Sequence, residues 1–165
     1  MTVRFRIETF ADQTGRADFD CGVESLDRYF REQVGQDIRR RVTACYVAVE
    51  AETQCIAGYY TLAASGVPLA DMPDSLIKRL PRYPLVPVAR MGRLAVDLRF
   101  RGSKLGAALL WDAATRAARS EMAVLGLVVD AKDATAEAFY RYHGFIALSA
   151  ARQLLMPLAK IRPAG

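Results

Sequence analysis

Metal ligands are scarce in this chain of 165 residues. His143 is the only histidine, and the three cysteines, Cys21, Cys45 and Cys55, form no C-x-x-C pair. Structural zinc sites and disulfide frameworks depend on such spacings. The sequence therefore predicts buried free thiols and no bound metal.

Long apolar runs are absent as well. No run approaches the roughly 18 residues that a membrane-spanning helix requires, and residues 1–6 (MTVRFR) carry charge where a signal peptide needs its apolar stretch. We therefore expect a cytoplasmic protein that does not enter a membrane. Hydrophobic residues make up 52% of the chain and charged residues 25%, and the length fits one domain spanning residues 1–165.

Lysine is rare, but arginine is abundant. The chain has 23 basic and 18 acidic residues, a net charge of +5, and only four of the basic residues are lysines. Most of this excess lies in residues 88–106, whose charged residues are Arg90, Arg93, Asp97, Arg99, Arg101 and Lys104. Such a concentration favours an anionic ligand, with a solvated basic face as the alternative.

The hydrophobic periodicity predicts an α/β protein. Residues 3–10 alternate as in a strand, and residues 23–38 repeat apolar side chains every three or four positions, as in an amphipathic helix. We expect Asp20 to cap this helix and Arg39–Arg41 to end it. Residues 43–50 and 56–64 read as a β-hairpin.

The second half alternates strands and helices. Five prolines make residues 67–87 mostly a connection, with a short helix over 74–80. Residues 88–96 and 124–130 read as strands around a helix over 102–120. Asp133 can cap a helix that runs through Tyr142 and stops at Gly144, and strands over 145–148 and 153–158 finish the chain. The order is β-α-β-β-(short α)-β-α-β-α-β-β around a mixed sheet.

Residues 99–110 (RFRGSKLGAALL) form a strand–loop–helix pattern. A glycine-containing turn that opens a helix directs several backbone N–H groups outward at the positive end of the helix dipole, which suits a pyrophosphate. Arg99, Arg101 and Lys104 would add charge. The pattern is neither a Walker loop nor a G-x-G-x-x-G motif, and a simple β–α turn with solvated arginines is the alternative.

This loop and residues 130–145 (DAKDATAEAFYRYHGF) together resemble the GNAT superfamily of acyl-CoA-dependent N-acetyltransferases. The resemblance implies a single-domain GNAT fold, which is a twisted, mixed and mostly antiparallel sheet flanked by helices. It also implies acetyl-CoA as co-substrate, a pyrophosphate loop from Arg101 to Gly106, and Tyr140 as the acid that protonates the departing thiolate. Lys104 stands where the family has its middle glycine.

The resemblance extends over about residues 4–158 to one branch of the superfamily. Segments 19–22 (FDCG), 26–30 (LDRYF), 58–62 (GYYTL) and 91–97 (MGRLAVD) are similar to the GNAT toxins of type II toxin–antitoxin systems, of the TacT and AtaT type. These toxins acetylate the α-amino group of aminoacyl-tRNA and stop translation. The implied partners are aminoacyl-tRNA and a ribbon-helix-helix-type antitoxin, with a homodimer as one option.

Roles follow residue by residue from this resemblance. The residues expected to bind acetyl-CoA are Leu94, Ala95, Val96, Arg101, Gly102, Ser103, Lys104, Leu105, Gly106, Ala107, Asp133 and Phe139. The strand around Leu94–Val96 should present backbone N–H groups to the thioester carbonyl. Phe139 should point inward and Tyr140 toward the sulfur. The residues expected to contact tRNA are Arg39, Arg40, Arg41, Arg90 and Arg93.

No general base accompanies these motifs. A free α-amine has a pKa of about 7.7–8.0, and an ester on its own carboxyl group lowers it further, so an aminoacyl ester is substantially neutral at cellular pH. A lysine side chain, with a pKa of about 10.4, would need a base. This favours an aminoacyl-tRNA substrate. The alternatives are a GNAT that acetylates a small-molecule amine or a protein N-terminus, and a catalytically dead GNAT binding module, which Lys104 favours and Tyr140 opposes.

Overall fold

The computed structural model describes residues 4–11 and 15–161, without the Lys160 side chain. Its strands are β1 (Phe5–Thr9), β2 (Ala44–Glu50), β3 (Ile56–Pro68), β4 (Leu85–Arg90), β5 (Leu94–Val96), β6 (Gly126–Asp130), β7 (Ile146–Ala147) and β8 (Gln153–Pro157). Its α-helices are α1 (Glu24–Arg28), α2 (Val34–Arg39), α3 (Asp74–Ile77), α4 (Leu105–Arg119) and α5 (Ala134–Tyr142).

The strands form a mixed sheet in the hydrogen-bonded order β1-β2-β3-β4-β6-β8-β7, with β5 paired to β3. Strands β4 and β6 run parallel. The pairs β1–β2, β2–β3, β3–β5, β6–β8 and β7–β8 run antiparallel. The predicted α/β class with a mixed, mostly antiparallel sheet is confirmed.

The chain divides into two compact units. The first comprises Met1–Ala63 and Gly92–Ala113, and the second comprises Ala64–Met91 and Ala114–Gly165. Strand β3 and helix α4 each contribute residues to both units. Each unit has its own buried apolar cluster.

An aromatic cluster forms the centre of the first unit. The rings of Phe30 and Tyr59 stack with centroids 4.4 Å apart, and Phe19 packs against Tyr59 at 5.5 Å. The Tyr59 hydroxyl donates a hydrogen bond of 2.8 Å to the carbonyl of Leu26. The helical segment after residue 23 is thereby fixed to strand β3.

The predicted helix over 23–38 contains a π-helical turn, Tyr29–Gln33, between α1 and α2. Its apolar side chains Leu26, Phe30, Val34 and Ile38 recur every four residues. At about 100° per residue, twelve residues of α-helix overshoot three turns by roughly 120°. The wider π turn absorbs much of this drift, and all four side chains stay in or against the first unit's core.

The prediction that Asp20 caps this helix is wrong. Helix α1 begins after Val23, whose side chain makes no capping hydrogen bond. The Asp20 carboxylate accepts instead from the Gly22 N–H at 2.9 Å, and the Asp27 carboxylate accepts from the Cys21 N–H at 2.9 Å. These bonds fold the segment before the helix into a turn, in which Gly22 has a φ of 86°.

The single strand predicted over 88–96 is also wrong, because it is two strands in different units. The Met91 N–H donates to Val128 at 3.0 Å, beside the β4–β6 pair, whereas the Arg93 carbonyl accepts from Thr61 at 3.0 Å, beside the β5–β3 pair. A continuous apolar pattern cannot show that its two halves have different partners. The first strand begins at Phe5, and Val3 lies outside the described residues.

The late helix in the second unit follows its prediction closely. Asp133 caps α5 by accepting from the Ala136 N–H at 2.8 Å. The helix ends in a Schellman motif, in which Gly144 has a φ of 95° and the Phe145 N–H donates to the Tyr140 carbonyl at 3.1 Å. The cap and the stop fix the ends of the helix that carries Tyr140.

Gly58→Ala should lower the free energy of unfolding by about 1–3 kcal/mol, because the new methyl group overpacks a tight contact. Its Cβ would lie 2.9 Å from both the Ala95 carbonyl oxygen and a Leu109 methyl carbon. Gly66→Ala, in the same strand, is the control, since its Cβ would meet nothing closer than 3.6 Å. Urea unfolding measures both, and equal stabilities would contradict the close approach at Gly58.

Candidate functional site

The loop that opens helix α4 is built on a buried carboxylate, Asp97. Its side chain is 1% exposed and accepts from the Arg99 backbone N–H at 2.9 Å, from the Arg99 guanidinium at 2.9 and 3.0 Å, and from the Asp20 N–H at 3.1 Å. Burial by itself would raise the pKa of this carboxyl, but these donors outweigh it and hold the pKa below its ordinary value. Asp97 is therefore ionised and immobilised.

The loop rests on the segment that precedes the first helix. The Leu98 N–H donates to the Asp20 carbonyl at 2.9 Å, and the Arg101 guanidinium donates to the Cys21 carbonyl at 3.2 Å. The FDCG segment thus supports the loop, a role that sequence reasoning missed together with Asp97. The available signal was one acidic residue directly after a strand in an otherwise basic stretch.

Two left-handed residues set where α4 begins. Gly102 has a φ of 79° and Lys104 a φ of 64°, so the helix starts at Leu105 and not at the predicted residue 102. Its first hydrogen bond runs from Ala108 to Lys104 at 3.2 Å, and the N–H groups of residues 105–107 therefore point out of the helix end. Outward amides at the positive end of a helix dipole suit an anion.

The cations of this loop differ in their availability. Arg99 is bound to Asp97, and Arg101 to the Cys21 carbonyl. Lys104 is exposed, and its side chain makes no hydrogen bond or ion pair with the described residues. Of the three cations expected at a phosphate, Lys104 is the one whose side chain makes no polar contact with the described residues.

Strand β5 offers backbone donors on one edge. The Arg93 carbonyl accepts from the Thr61 N–H of β3 at 3.0 Å, and the Asp97 N–H donates to the Ala57 carbonyl of β3 at 2.8 Å. Ala95 lies between them and pairs with Tyr59 of β3. Because alternate residues of an antiparallel strand face the partner, Leu94 and Val96 direct their N–H groups away from β3. Of the three strand residues expected to bind the co-substrate, these two present amides to a ligand.

Helix α4 is held to the sheet beside this edge. The Tyr60 hydroxyl donates to the Asp112 carboxylate at 2.5 Å, and the absence of a side chain at Gly58 lets Leu105 and Leu109 approach the backbone. Packing thus keeps the loop, the helix end and β5 together within the first unit.

The expected tRNA contacts fall in three environments. Arg90 forms an ion pair with Asp130 in the second unit. In the first unit, the Arg93 guanidinium lies 3.5 Å from the centroid of the Tyr29 ring, and the Tyr29 hydroxyl donates to Asp37 at 2.7 Å. Burial, followed by this hydrogen bond, raises the pKa of Tyr29 above its ordinary value. The three arginines at the end of α2, Arg39, Arg40 and Arg41, are exposed.

Tyr140 is the more buried residue of the aromatic pair in α5. It is 9% exposed and packs 5.3 Å from the Phe145 ring. Phe139, predicted to point inward, is half-buried and packs against His143 at 4.8 Å, so that expectation is wrong. Tyr140 turns toward the interior because its ring meets Phe145, which the Schellman motif folds back beneath the helix.

The Tyr140 hydroxyl is not fully buried and keeps its proton. Every fully buried side-chain nitrogen and oxygen of the described residues has a hydrogen-bond partner, and the Tyr140 hydroxyl bonds to none of these residues, so part of it is exposed. Burial of the ring, followed by the charge of Asp130, raises the pKa of Tyr140 to about 12. At neutral pH the group is a proton donor.

The three cysteines are free thiols. Burial, with a hydrogen bond to Asp27, raises the pKa of Cys21 to about 11, and burial raises that of Cys45 to about 12. Neither is a thiolate nucleophile at neutral pH.

No metal site or membrane span is found in the described part of the chain. Within residues 4–11 and 15–161, no cluster of histidine, cysteine, aspartate and glutamate could hold a metal ion. None of the described helices is long and apolar enough to cross a membrane.

The sequence matches known acetyltransferases. The profile of the acetyltransferase (GNAT) domain matches residues 77–154. The chain is 31% identical over 137 residues to a tRNA-acetylating toxin of Mycobacterium tuberculosis, covering 82% of this chain and 80% of that toxin. It is 26% identical over 157 residues to a probable toxin TacT of Sinorhizobium fredii, covering 89% and 87%.

Solved toxin structures share the fold over nearly the whole chain. AtaT complexed with acetyl-methionyl-tRNAfMet is similar with a TM-score of 0.87 and 29% identity, covering 96% of this chain and 97% of AtaT. AtaTR bound with AcCoA gives 0.80 and 27%, covering 95% of each chain. The KacTA–DNA complex gives 0.78 and 27%, covering 96% of each.

Asp97→Asn should lower the free energy of unfolding at neutral pH by about 1–3 kcal/mol, because a charged acceptor with four donors becomes a neutral one. The folded-state pKa of Asp97 lies below its ordinary value of 3.8, so its stabilisation is complete above that value and is lost as pH falls through the folded-state pKa. Urea unfolding of both proteins should show a constant gap down to about pH 5 that closes below about pH 4. A gap that persists in acid would assign the effect to shape and not to charge.

Proposed function

Since the chain belongs to the GNAT acetyltransferases of the TacT and AtaT toxin type, we propose that it transfers the acetyl group of acetyl-CoA to the α-amino group of an aminoacyl-tRNA and so blocks translation. The observation that carries this proposal is the likeness, over 96% of the chain, to AtaT complexed with acetyl-methionyl-tRNAfMet. The geometry of each unit supports a role in this reaction.

The first unit supplies the residues for acetyl-CoA. The outward amides of residues 105–107 and the Lys104 ammonium suit the pyrophosphate. The Leu94 and Val96 amides suit the thioester carbonyl, where they would stabilise the oxyanion that forms on attack. Asp97 fixes the loop without touching the ligand. In this assignment Lys104, which stands where the family has its middle glycine, serves as a cation for the phosphates.

The second unit supplies the acid. The amine nitrogen attacks the acetyl carbon, the C–N bond forms and the C–S bond breaks, and Tyr140 donates its proton to the leaving sulfur. The proton lost by the nitrogen restores the phenol. A pKa of about 12 lies above the roughly 8.5 of an ordinary thiol. Tyr140 therefore stays protonated at rest and holds its proton for the sulfur until the C–S bond breaks.

The substrate supplies its own neutral nucleophile. A free α-amine has a pKa of about 7.7–8.0, and an ester on its own carboxyl group lowers that pKa further. A substantial share of the aminoacyl ester is therefore neutral near neutral pH, so the mechanism requires no protein base. The protonated thiols of Cys21 and Cys45 support direct transfer without an acyl-enzyme intermediate.

We place the reaction in the cytoplasm, where acetyl-CoA and charged tRNA occur. We treat residues 1–165 as one catalytic domain, because β3 and α4 run through both units.

An antitoxin completes this proposal. AtaT has been solved bound to the C-terminus of its antitoxin AtaR, and KacTA in complex with DNA. We propose a ribbon-helix-helix-type antitoxin for this chain, with an acidic tail that complements the net charge of +5. A homodimer is one option for the assembly of this chain, and light scattering tests it.

Incubation with labelled acetyl-CoA and charged total tRNA tests the function directly. The label should enter the RNA fraction as N-acetyl-aminoacyl ester, and deacylation of the tRNA beforehand should abolish it. Sequencing the labelled tRNA identifies the amino acid. Label that enters only small amines or protein N-termini would refute the tRNA reading, and binding of acetyl-CoA without any transfer would indicate a dead binding module.

Tyr140→Phe should lower turnover by about 10²–10⁴-fold, because it removes the proton donor. Acetyl-CoA affinity and thermal stability should change little, since the ring and its packing remain. The rise of activity with pH, set by the substrate amine, should be the same in both proteins. Turnover at the wild-type rate would show that water or another group protonates the sulfur.

Lys104→Gln and Lys104→Gly separate charge from backbone strain. Both should weaken acetyl-CoA binding by about 1.5-fold to fivefold, the size of one exposed charge contact. The glycine variant should be more stable than the glutamine variant by about 1 kcal/mol, because glycine tolerates the left-handed conformation. Calorimetric titration and urea unfolding provide the two readouts, and wild-type affinity in both variants would exclude Lys104 from the phosphates.

A further inference from the structure

A basic groove lies in the first unit, apart from the residues assigned to acetyl-CoA. It has a volume of about 340 Å³. Its lining residues are Phe10, Ala11, Arg16, Arg31, Glu32, Gly35, Gln36, Ile38 and Arg39. Three arginines and one glutamate give the described lining a net positive charge. We call it the arginine groove, after Arg16, Arg31 and Arg39.

Two guanidinium groups converge over Gly35 in this groove. A Cβ atom at Gly35 would lie 3.3 Å from a guanidinium nitrogen of Arg39 and 3.9 Å from one of Arg16. The two nitrogens are therefore no more than about 7 Å apart. Like charges at this separation repel each other, and an anion between them removes the repulsion. The missing side chain at Gly35 lets both guanidinium groups lie close to the helix backbone.

Two of the three arginines contact neighbouring groups, and all three keep donors for a ligand. Arg16 lies over the Phe10 ring at 5.4 Å, and Arg31 donates one bond, of 3.5 Å, to the Ala17 carbonyl. The Arg39 side chain is exposed and makes no hydrogen bond or ion pair with the described residues. A guanidinium has five N–H donors in a planar fork, so most of them are available here.

We propose that the arginine groove binds a phosphate of the sugar–phosphate backbone of the tRNA substrate, an inference that rests on the proposed function. Paired planar guanidinium groups match the geometry of phosphate oxygens. The apolar side chains of Phe10 and Ile38 provide a wall for the adjoining sugar. The groove also separates Arg39, which lines it, from Arg40 and Arg41, which do not.

Arg39→Gln tests the charge. Its affinity for deacylated total tRNA should fall roughly threefold to tenfold, and the slope of log K against log[KCl] should become shallower by about 0.7–0.9, the contribution of one phosphate contact. Arg28→Gln is the matched control, because Arg28 is exposed, lies outside the groove and is already paired with Glu24. The control should leave both quantities unchanged, and acetyl-CoA affinity should be constant throughout.

Gly35→Glu and Gly35→Gln test the space over Gly35. Both side chains fill it, and both are better helix formers than glycine, so thermal stability should be kept or raised. The glutamate also places a carboxylate between the two guanidinium groups and should weaken tRNA binding more than the glutamine does. A loss of binding together with a gain in stability cannot come from misfolding.

Three outcomes decide between this proposal and others. If Arg39→Gln and Gly35→Glu bind tRNA with wild-type affinity and salt slope while wild type acetylates charged tRNA, the groove is overturned and the proposed function stands. If the variants lose binding of a polyglutamate peptide but not of tRNA, the groove takes an acidic protein segment and the proposal is again overturned. If wild type acetylates no charged tRNA, the proposed function itself fails.

Discussion

The buried carboxylate of Asp97 is the interaction on which the rest of the first unit's site depends. It joins the end of β5, the turn that follows, and the segment before helix α1, through donors as far apart in sequence as Asp20 and Arg99. A buried carboxylate is costly unless every donor around it is in place. The loop that opens α4 therefore has one well-defined conformation, and the left-handed residues Gly102 and Lys104 follow from where that loop must turn.

This architecture changes the meaning of the basic stretch over residues 88–106. Arg90, Arg93, Arg99 and Arg101 all bind to groups within their own unit, namely a carboxylate, an aromatic ring, a second carboxylate and a backbone carbonyl. Arginine serves this purpose well because its planar guanidinium can bind several acceptors and can stack on a ring. Lys104 is the cation of this stretch whose side chain makes no polar contact with the described residues. Net charge along a sequence thus overstates the charge that faces a substrate.

The proposed reaction uses a protonated side chain as general acid and no side chain as general base. Burial keeps Tyr140, Cys21 and Cys45 protonated at neutral pH. A protein so arranged has a proton for a leaving thiolate and two buried thiols that are not nucleophiles, and it suits an amine that is already neutral. An α-amine esterified through its own carboxyl group meets that requirement, and a lysine side chain does not.

The sequence by itself determined whatever depends on near neighbours. The cap at Asp133, the stop at Gly144 and the hairpin of β2 and β3 all rest on contacts or conformations within a few residues, and local pattern predicts them. Tertiary structure decided the rest, because those contacts join distant residues. The break between β4 and β5 depends on which strands they pair with, the burial of Tyr140 over Phe139 depends on Phe145, and the role of Asp97 depends on Asp20, 77 residues away. Such a pairing leaves no periodicity in the sequence, since its energy exists only once the chain has folded.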